Sequence, residues 1–359
     1  MIGERLKRAR AAAGLSMKAL GEQVGVSANM IKKYEHDVSM PSSGVLLKLA
    51  RALGVRSEYF FRPARVSLGR VEYRKRATAS KALLKRVEAD VLDQAERWQE
   101  LADLWPDFPV PRFSPPSPLA SEVSSLVEVE TAAEQVRREW KLGINPLPDL
   151  IDAVGGQGVL VIVTDVQVEG KFDGLQATVA GQPVIVVSSH WHGDRQRFTL
   201  AHELGHLLLA GRLSADLDEE KACNHFATAL LLPAETMRRQ FGQERHAIEL
   251  RELYLLKHEF GVSMQAGLFR LKALGIIKDS LYKKMMMRFS AQDWRKEEPG
   301  EPVPKETTRL FQQLVYRGLG EGILGESKAA ELLKLPLMQF HQLRHLSSTL
   351  QKDRAWSPA

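Results

Sequence analysis

Residues 197–211 read RFTLAHELGHLLLAG, and this run decides both the architecture and the chemistry of the chain. Phe198, Leu200, Leu204, Leu207 and Leu208 recur at helical spacing, so the run predicts a helix with an apolar stripe. His202 and His206 stand four apart, one turn above each other on one face, where both imidazoles reach a single divalent ion. Glu203 lies beside them as the general base that a metal-assisted hydrolysis needs. Catalytic zinc normally takes a third protein ligand and leaves a position open to solvent. The next stretch, DLDEEKACNHFATALLLP (216–233), opens with Asp216, Asp218, Glu219 and Glu220 and continues with Ala222, Phe226, Ala229 and Leu230 on an inward face. Glu220 and Asn224 are one turn apart on a common face, so Glu220 is a candidate third ligand with Asn224 as its support. The other acids suit the positive end of a helix without any metal. Cys223 falls off the Glu220 face and is assigned to packing. His341 and His345 share the spacing of the metal pair, but Gln342 stands where the base should be, so no metal is expected there.

Working outward, Gly158 to Val166 and Pro183 to Ser188 are β-branched runs that predict strands, the second as an edge along which an extended substrate would pair. Glu128 to Trp140, Arg195 to Ala210 and Leu217 to Leu232 predict helices. Ahead of them, six prolines between Trp105 and Ser121 exclude helix and central strand and mark a linker. Ala79 to Leu104 predicts an amphipathic connector or dimerising helix, striped by Leu83, Leu84, Val87, Val91, Ala95 and Leu101. After residue 241 nearly everything is helical. Residues 256–277 and 322–343 each contain a helix, turn and helix without a polar groove-reading face, and Pro299 to Pro304 breaks the run. Met285, Met286 and Met287 are expected to be buried filler. The fold class is α+β and predominantly helical. The expected division is 1–66, 67–121, 122–241, 242–298 and 299–359.

Residues 1–88 carry 19 Lys plus Arg against 7 Asp plus Glu, while the rest carries 31 against 37. That basic segment suits a polyanion. Its punctuation, Gly14, Ser16, Gly25 and Ser27, predicts short capped helices, with Ala19, Val24, Val26 and Ile31 as contacts of a helix-turn-helix. The second helix would then present Ser27, Asn29, Lys32 and Lys33 to a major groove. The lone Cys223 forms no internal disulfide, no apolar run approaches about 18 residues, and the amino terminus lacks the layout of a secretory signal. A cytoplasmic, non-membrane protein is expected.

Two resemblances sharpen this reading. LGEQVGVSANMIKKYEHDVSMPSSGVLLKLARALGV (20–55) resembles the XRE helix-turn-helix family, through Tyr34-Glu35, Pro41 and the closing LxKLAxALGV; His36 stands near where that family usually has Gly. The resemblance implies a five-helix domain that binds double-stranded operator DNA, commonly as a homodimer. RFTLAHELGHLLL followed by ExxxNxFAxxLLLP resembles the ImmA/IrrE metallopeptidases, including Asp173-Gly174 ahead of a strand, over about residues 125 to 275. It implies one Zn2+, with Mn2+ as the alternative ion, held by His202, His206 and Glu220, with Glu203 as catalytic base. Together they imply a DNA-bound regulator whose endopeptidase cuts a repressor or antitoxin. The competing readings are a repressor whose peptidase-like domain senses a ligand or metal without hydrolysis, and one in which that domain only docks a partner.

Overall fold

The computed structural model describes residues 2–61, 68–73, 81–166 and 173–346, and for 68–73 and 81–82 the backbone alone. The chain begins with α1 (Gly3–Ala12), α2 (Met17–Val24), α3 (Ala28–Glu35) and α4 (Ser43–Ala52), then a 3-10 turn at Ser57–Phe61. The fifth expected helix is therefore only that short turn. Ser16, Ser27 and Ser42 each accept a hydrogen bond from a backbone N–H in the first turn of α2, α3 and α4, which sets all three starts. The crossing of α2 and α3 depends on Gly21, where a Cβ would stand 2.5 Å from the Val26 carbonyl oxygen. Ala19, expected at that contact, is only half-buried; Leu20 and Gly21 fill the place. Ile2, Leu6, Leu20, Val24, Ile31, Leu49 and Phe60 close a small core. His36 ends α3 without left-handed backbone, because Asp37 takes it (φ 54°) and accepts a hydrogen bond from the Gly3 amide at 2.9 Å.

Next come β1 (Leu68–Tyr73), α5 (Lys81–Leu104), α6 (Leu126–Glu139), α7 (Leu150–Gly155), β2 (Leu160–Thr164), β3 (Gly174–Val179) and β4 (Gln182–Ser188). The four strands form one sheet in the order β1-β3-β4-β2, with β2 and β4 parallel and the other two pairings antiparallel. Thus β4 is internal, paired along both sides, and the expectation of an edge at Pro183 to Ser188 is wrong. Pro183 fits because it stands at the start of the strand. Strand β3 reads Gly-Leu-Gln-Ala-Thr-Val, too weakly β-branched to stand out beside its neighbours; only the resemblance that places a strand after Asp173-Gly174 points to it.

Successive residues of a strand face opposite ways, and here both ways lead to a core. Val161, Ile185 and Val187 pack with α6 and with α8 (Gly193–Leu209), α9 (Glu219–Leu231), α10 (Ala234–Phe241), α11 (Leu250–Phe260), α12 (Met264–Ala273) and α13 (Asp279–Ala291). Leu160, Ile162, Leu175, Ala177, Val184 and Val186 face the other way. They pack with α5 and with α14 (Leu310–Gly320), α15 (Glu326–Leu332) and α16 (Leu337–Arg344). Val87, Val91, Ala95 and Leu101 of α5 are therefore spent inside the chain and do not form a dimer seam. Between α5 and α6 the Pro-rich stretch has no helix or named strand, as expected, yet it is packed, with Val110 and Leu119 buried. Proline forbids the backbone ladder but not side-chain burial. Helices α11 and α12 turn through Gly261 (φ 65°) into the Ser263 cap, and Phe269 of α12 is exposed. Of the three methionines only Met285 is buried, and Met287 is exposed.

Glu130 of α6 ties three helices together by pairing with the buried Arg270 of α12 and with His225 of α9 at 3.0 Å. Burial by itself would raise the Glu130 pKa, but hydrogen bonds and charge from Arg270 and His225 hold it down at about 2. The stabilisation is present above the unfolded-state value near 4.5 and is lost as pH falls toward 2. Glu130→Gln is therefore expected to flatten the acid-unfolding profile across that window. Arg270→Met should cost about 3–5 kcal/mol near neutral pH in a denaturant titration; a cost within experimental error would show that the pair does not hold the helices together.

Candidate metal centre

Helix α8 is fixed before it reaches its histidines. The Gly193 amide donates to the Val303 carbonyl at 3.0 Å, the Glu306 amide donates to Gln196 at 3.0 Å, and Arg197 pairs with the Glu306 carboxylate. Glu306 also accepts from the Leu150 and Ile151 amides at 2.8 and 3.1 Å, so one buried carboxylate joins the starts of α7 and α8. Further along, Gln176 of β3 donates to the Glu203 carbonyl at 2.5 Å. These bonds leave α8 no freedom to slide against the sheet.

His202 and His206 turn their Nε2 atoms toward one another at 3.0 Å. Glu220 on α9 brings its carboxylate oxygens to 3.7 Å from His202 Nε2 and 3.6 Å from His206 Nε2. Among the described residues these three form the one group of His, Cys, Asp and Glu whose donor atoms converge closely enough for a metal ion. The far side of each ring is committed as well. His202 Nδ1 lies 2.8 Å from Asn224 Oδ1, and His206 Nδ1 lies 2.8 Å from Glu219 Oε1. A carboxylate accepts only, and the amide oxygen accepts likewise, so both Nδ1 atoms carry the proton. Both Nε2 lone pairs then face a common point beside a carboxylate, an arrangement that repels itself unless a cation sits between. Tetrahedral zinc with imidazole nitrogens at about 2.0–2.1 Å would separate them by roughly 3.3 Å, so the donors fit such an ion.

Asn224 thus supports His202, and not Glu220 as the spacing alone suggested. Glu219 was set aside as a helix-terminus charge, yet it reaches His206; its signal is its place one residue before Glu220. Asp218 does serve the helix end, accepting from the Lys221 amide at 2.8 Å. Cys223 is fully buried in the apolar core and outside the converging group. His225 is engaged by Glu130 and belongs to the ion network described above.

Glu203 is buried beside the paired histidines, under the start of β3. A Cβ on Gly174 would stand 2.7 Å from Thr199 Cγ2 and 3.7 Å from Glu203 Cγ, so only glycine lets β3 pass this closely. At the start of α8, Arg195 pairs with Asp173 at 2.6 Å and stacks on Trp191 at 3.5 Å.

In the amino-terminal module Ser27, Asn29, Lys32 and Lys33 are all exposed on α3. Ser27 is occupied as the helix cap, which leaves Asn29 and the two lysines with free reach. The module docks on α5, where Glu96 pairs with Arg5 and, at 2.8 Å, with Arg8.

Residues 155–272 match the family model of the IrrE N-terminal-like domain, and residues 6–60 match a helix-turn-helix model. The radiation response metalloprotease IrrE of Deinococcus deserti is 45% identical over 65 residues, covering 14% of this chain and 23% of that protein. The HTH-type transcriptional regulator ImmR of Bacillus subtilis is 35% identical over 66 residues, covering 18% and 52%. An uncharacterized HTH-type transcriptional regulator of Sinorhizobium fredii, y4wC, is 35% identical over 60 residues, covering 17% and 42%. The matches span from about a quarter to about half the length of these relatives. Among the described residues no helix is long and apolar enough to cross a membrane.

Partners of metal-binding imidazoles typically contribute about 10- to 100-fold in affinity. Glu219→Ala and Asn224→Ala should each weaken metal binding by that factor in a chelator competition, with the fold unchanged by circular dichroism. Unaltered affinity in both variants would show that neither ring depends on its partner.

Proposed function

We propose that this fusion of an XRE-type helix-turn-helix module with an IrrE/ImmA-type metallopeptidase domain is a DNA-bound regulator with an active zinc endopeptidase. Its substrate is a partner protein, a repressor or antitoxin. The observation that carries this reading is the convergence of His202, His206 and Glu220 next to a buried Glu203. Two imidazoles and one carboxylate suit Zn2+, with Mn2+ second. When bound, the metal supplies a Lewis acid that lowers the pKa of water and polarises a carbonyl.

The chain's own residues do the rest. Glu203 takes a proton from the attacking water onto its carboxylate and delivers it to the leaving amine, so one group serves as base and then as acid. Asn224 and Glu219 keep both imidazoles in the tautomer that offers Nε2. Gln176 and the Glu306 cluster keep α8 from shifting as charge develops. Asn29, Lys32 and Lys33 read or hold operator DNA in the cytoplasm, with a homodimer matched to a two-fold site. Tethering the peptidase to an operator raises its effective concentration near a DNA-bound repressor, so modest intrinsic affinity suffices.

Glu203→Gln is expected to abolish cleavage of a repressor encoded beside this gene while zinc and operator binding persist. Proteolysis retained in that variant would reject the mechanism. On the DNA side, Lys32→Ala and Lys33→Ala should each reduce the slope of log affinity against log salt by about 1, uniformly across sequences. Unchanged slopes would take α3 off the phosphate backbone.

A further inference from the structure

Strand β1 comes from the segment between the DNA-binding module and α5, yet it is laid along the outer edge of β3. That edge borders the metal centre. Gly174 at the start of β3 lies against Glu203, and Gln176 is bonded to the Glu203 carbonyl at 2.5 Å. The register sets Tyr73 opposite Leu175 and Glu72 opposite Gln176, so β1 runs antiparallel to β3 and arrives beside this same end. An extended peptide seeking backbone pairing next to Glu203 meets β1 already in place. The other side of β3 is taken by β4.

We propose that Leu68–Tyr73 is a built-in competitor for the peptide-binding edge of this site. An extended segment of a protein substrate pairs with β3 by displacing it. The strand is the least securely held in the sheet. It makes four register pairs with a shift between Leu68 and Val71, whereas β3 and β4 make six unbroken ones. A shift of this kind leaves part of the ladder unpaired. The described elements before and after β1 are held without it: the amino-terminal module pairs with Glu96, and α5 packs against the sheet. Six residues separate Phe61 from Leu68 and seven separate Tyr73 from Lys81. Strand addition supplies affinity through main-chain hydrogen bonds, which favours extended, unfolded stretches of a partner over its folded parts.

The consequence for proteolysis rests on the peptidase reading, but the test does not, because it measures binding in a chain carrying Glu203→Gln. A fluorescein-labelled peptide with the sequence of residues 66–75, VSLGRVEYRK, is titrated against three full-length proteins. One keeps β1 intact, one carries Val71→Pro, and one has residues 68–73 replaced by a Gly/Ser run of equal length. The expected result is at least tenfold tighter peptide binding in both altered chains than in the intact one. Hydrogen exchange should then show amides of residues 174–179 exposed in the altered chains and protected again on adding unlabelled peptide, while β2 and β4 stay protected throughout. Equal affinity in all three proteins, or peptide binding in none with β2 and β4 still protected, overturns the proposal.

Discussion

Two imidazole lone pairs pointed at one another across 3.0 Å are the constraint on which the rest of this structure turns. Each ring has its other nitrogen committed to an acceptor, Asn224 for His202 and Glu219 for His206, so neither can rotate its lone pair away without breaking a bond at 2.8 Å. The Glu220 carboxylate beside them adds negative charge to the same point. A cation resolves all three conflicts at once, and a site of this composition is otherwise a cost to the fold.

The scaffold keeps that conflict in place by making α8 and α9 immobile. One face of the sheet, α6 and the helices after α9 pack around the pair, and the Glu306 cluster pins the start of α8 from a segment more than a hundred residues away. Because Glu306 lies just before α14, the carboxy-terminal helices are wired to the helix that carries His202 and His206 and are not an appendage. Helix α5 completes the second face and receives the DNA-binding module through Glu96. The amino-terminal module and the sheet therefore pack against the same helix.

Much of this was legible in the sequence because local patterns carried it. The histidine spacing fixed a helix face, the serines of the first module fixed helix starts, and Glu220 was singled out by one-turn spacing to Asn224. What escaped was non-local. The composition of Gly-Leu-Gln-Ala-Thr-Val does not announce a strand, and the place of β4 in the interior depends on β3 pairing with it. Glu219 has the sequence signature of any helix-terminus acid, and its reach to His206 exists only after α8 and α9 have packed. The stripe on α5 was legible, but its partner lay among residues 310–343, beyond what periodicity can indicate. The Pro-rich stretch was correctly denied a ladder and wrongly denied a place in the core.

In the proposed centre two histidines and one glutamate hold a single ion, with oxygen or solvent completing the set. X-ray absorption at the zinc edge of the purified chain tests it most directly. The expected spectrum shows about one zinc per chain, two imidazoles and oxygen donors at about 2.0–2.2 Å, and no sulfur. A sulfur shell near 2.3 Å, which only Cys223 or a methionine could supply, or a chain that purifies and refolds without taking up zinc, would contradict it.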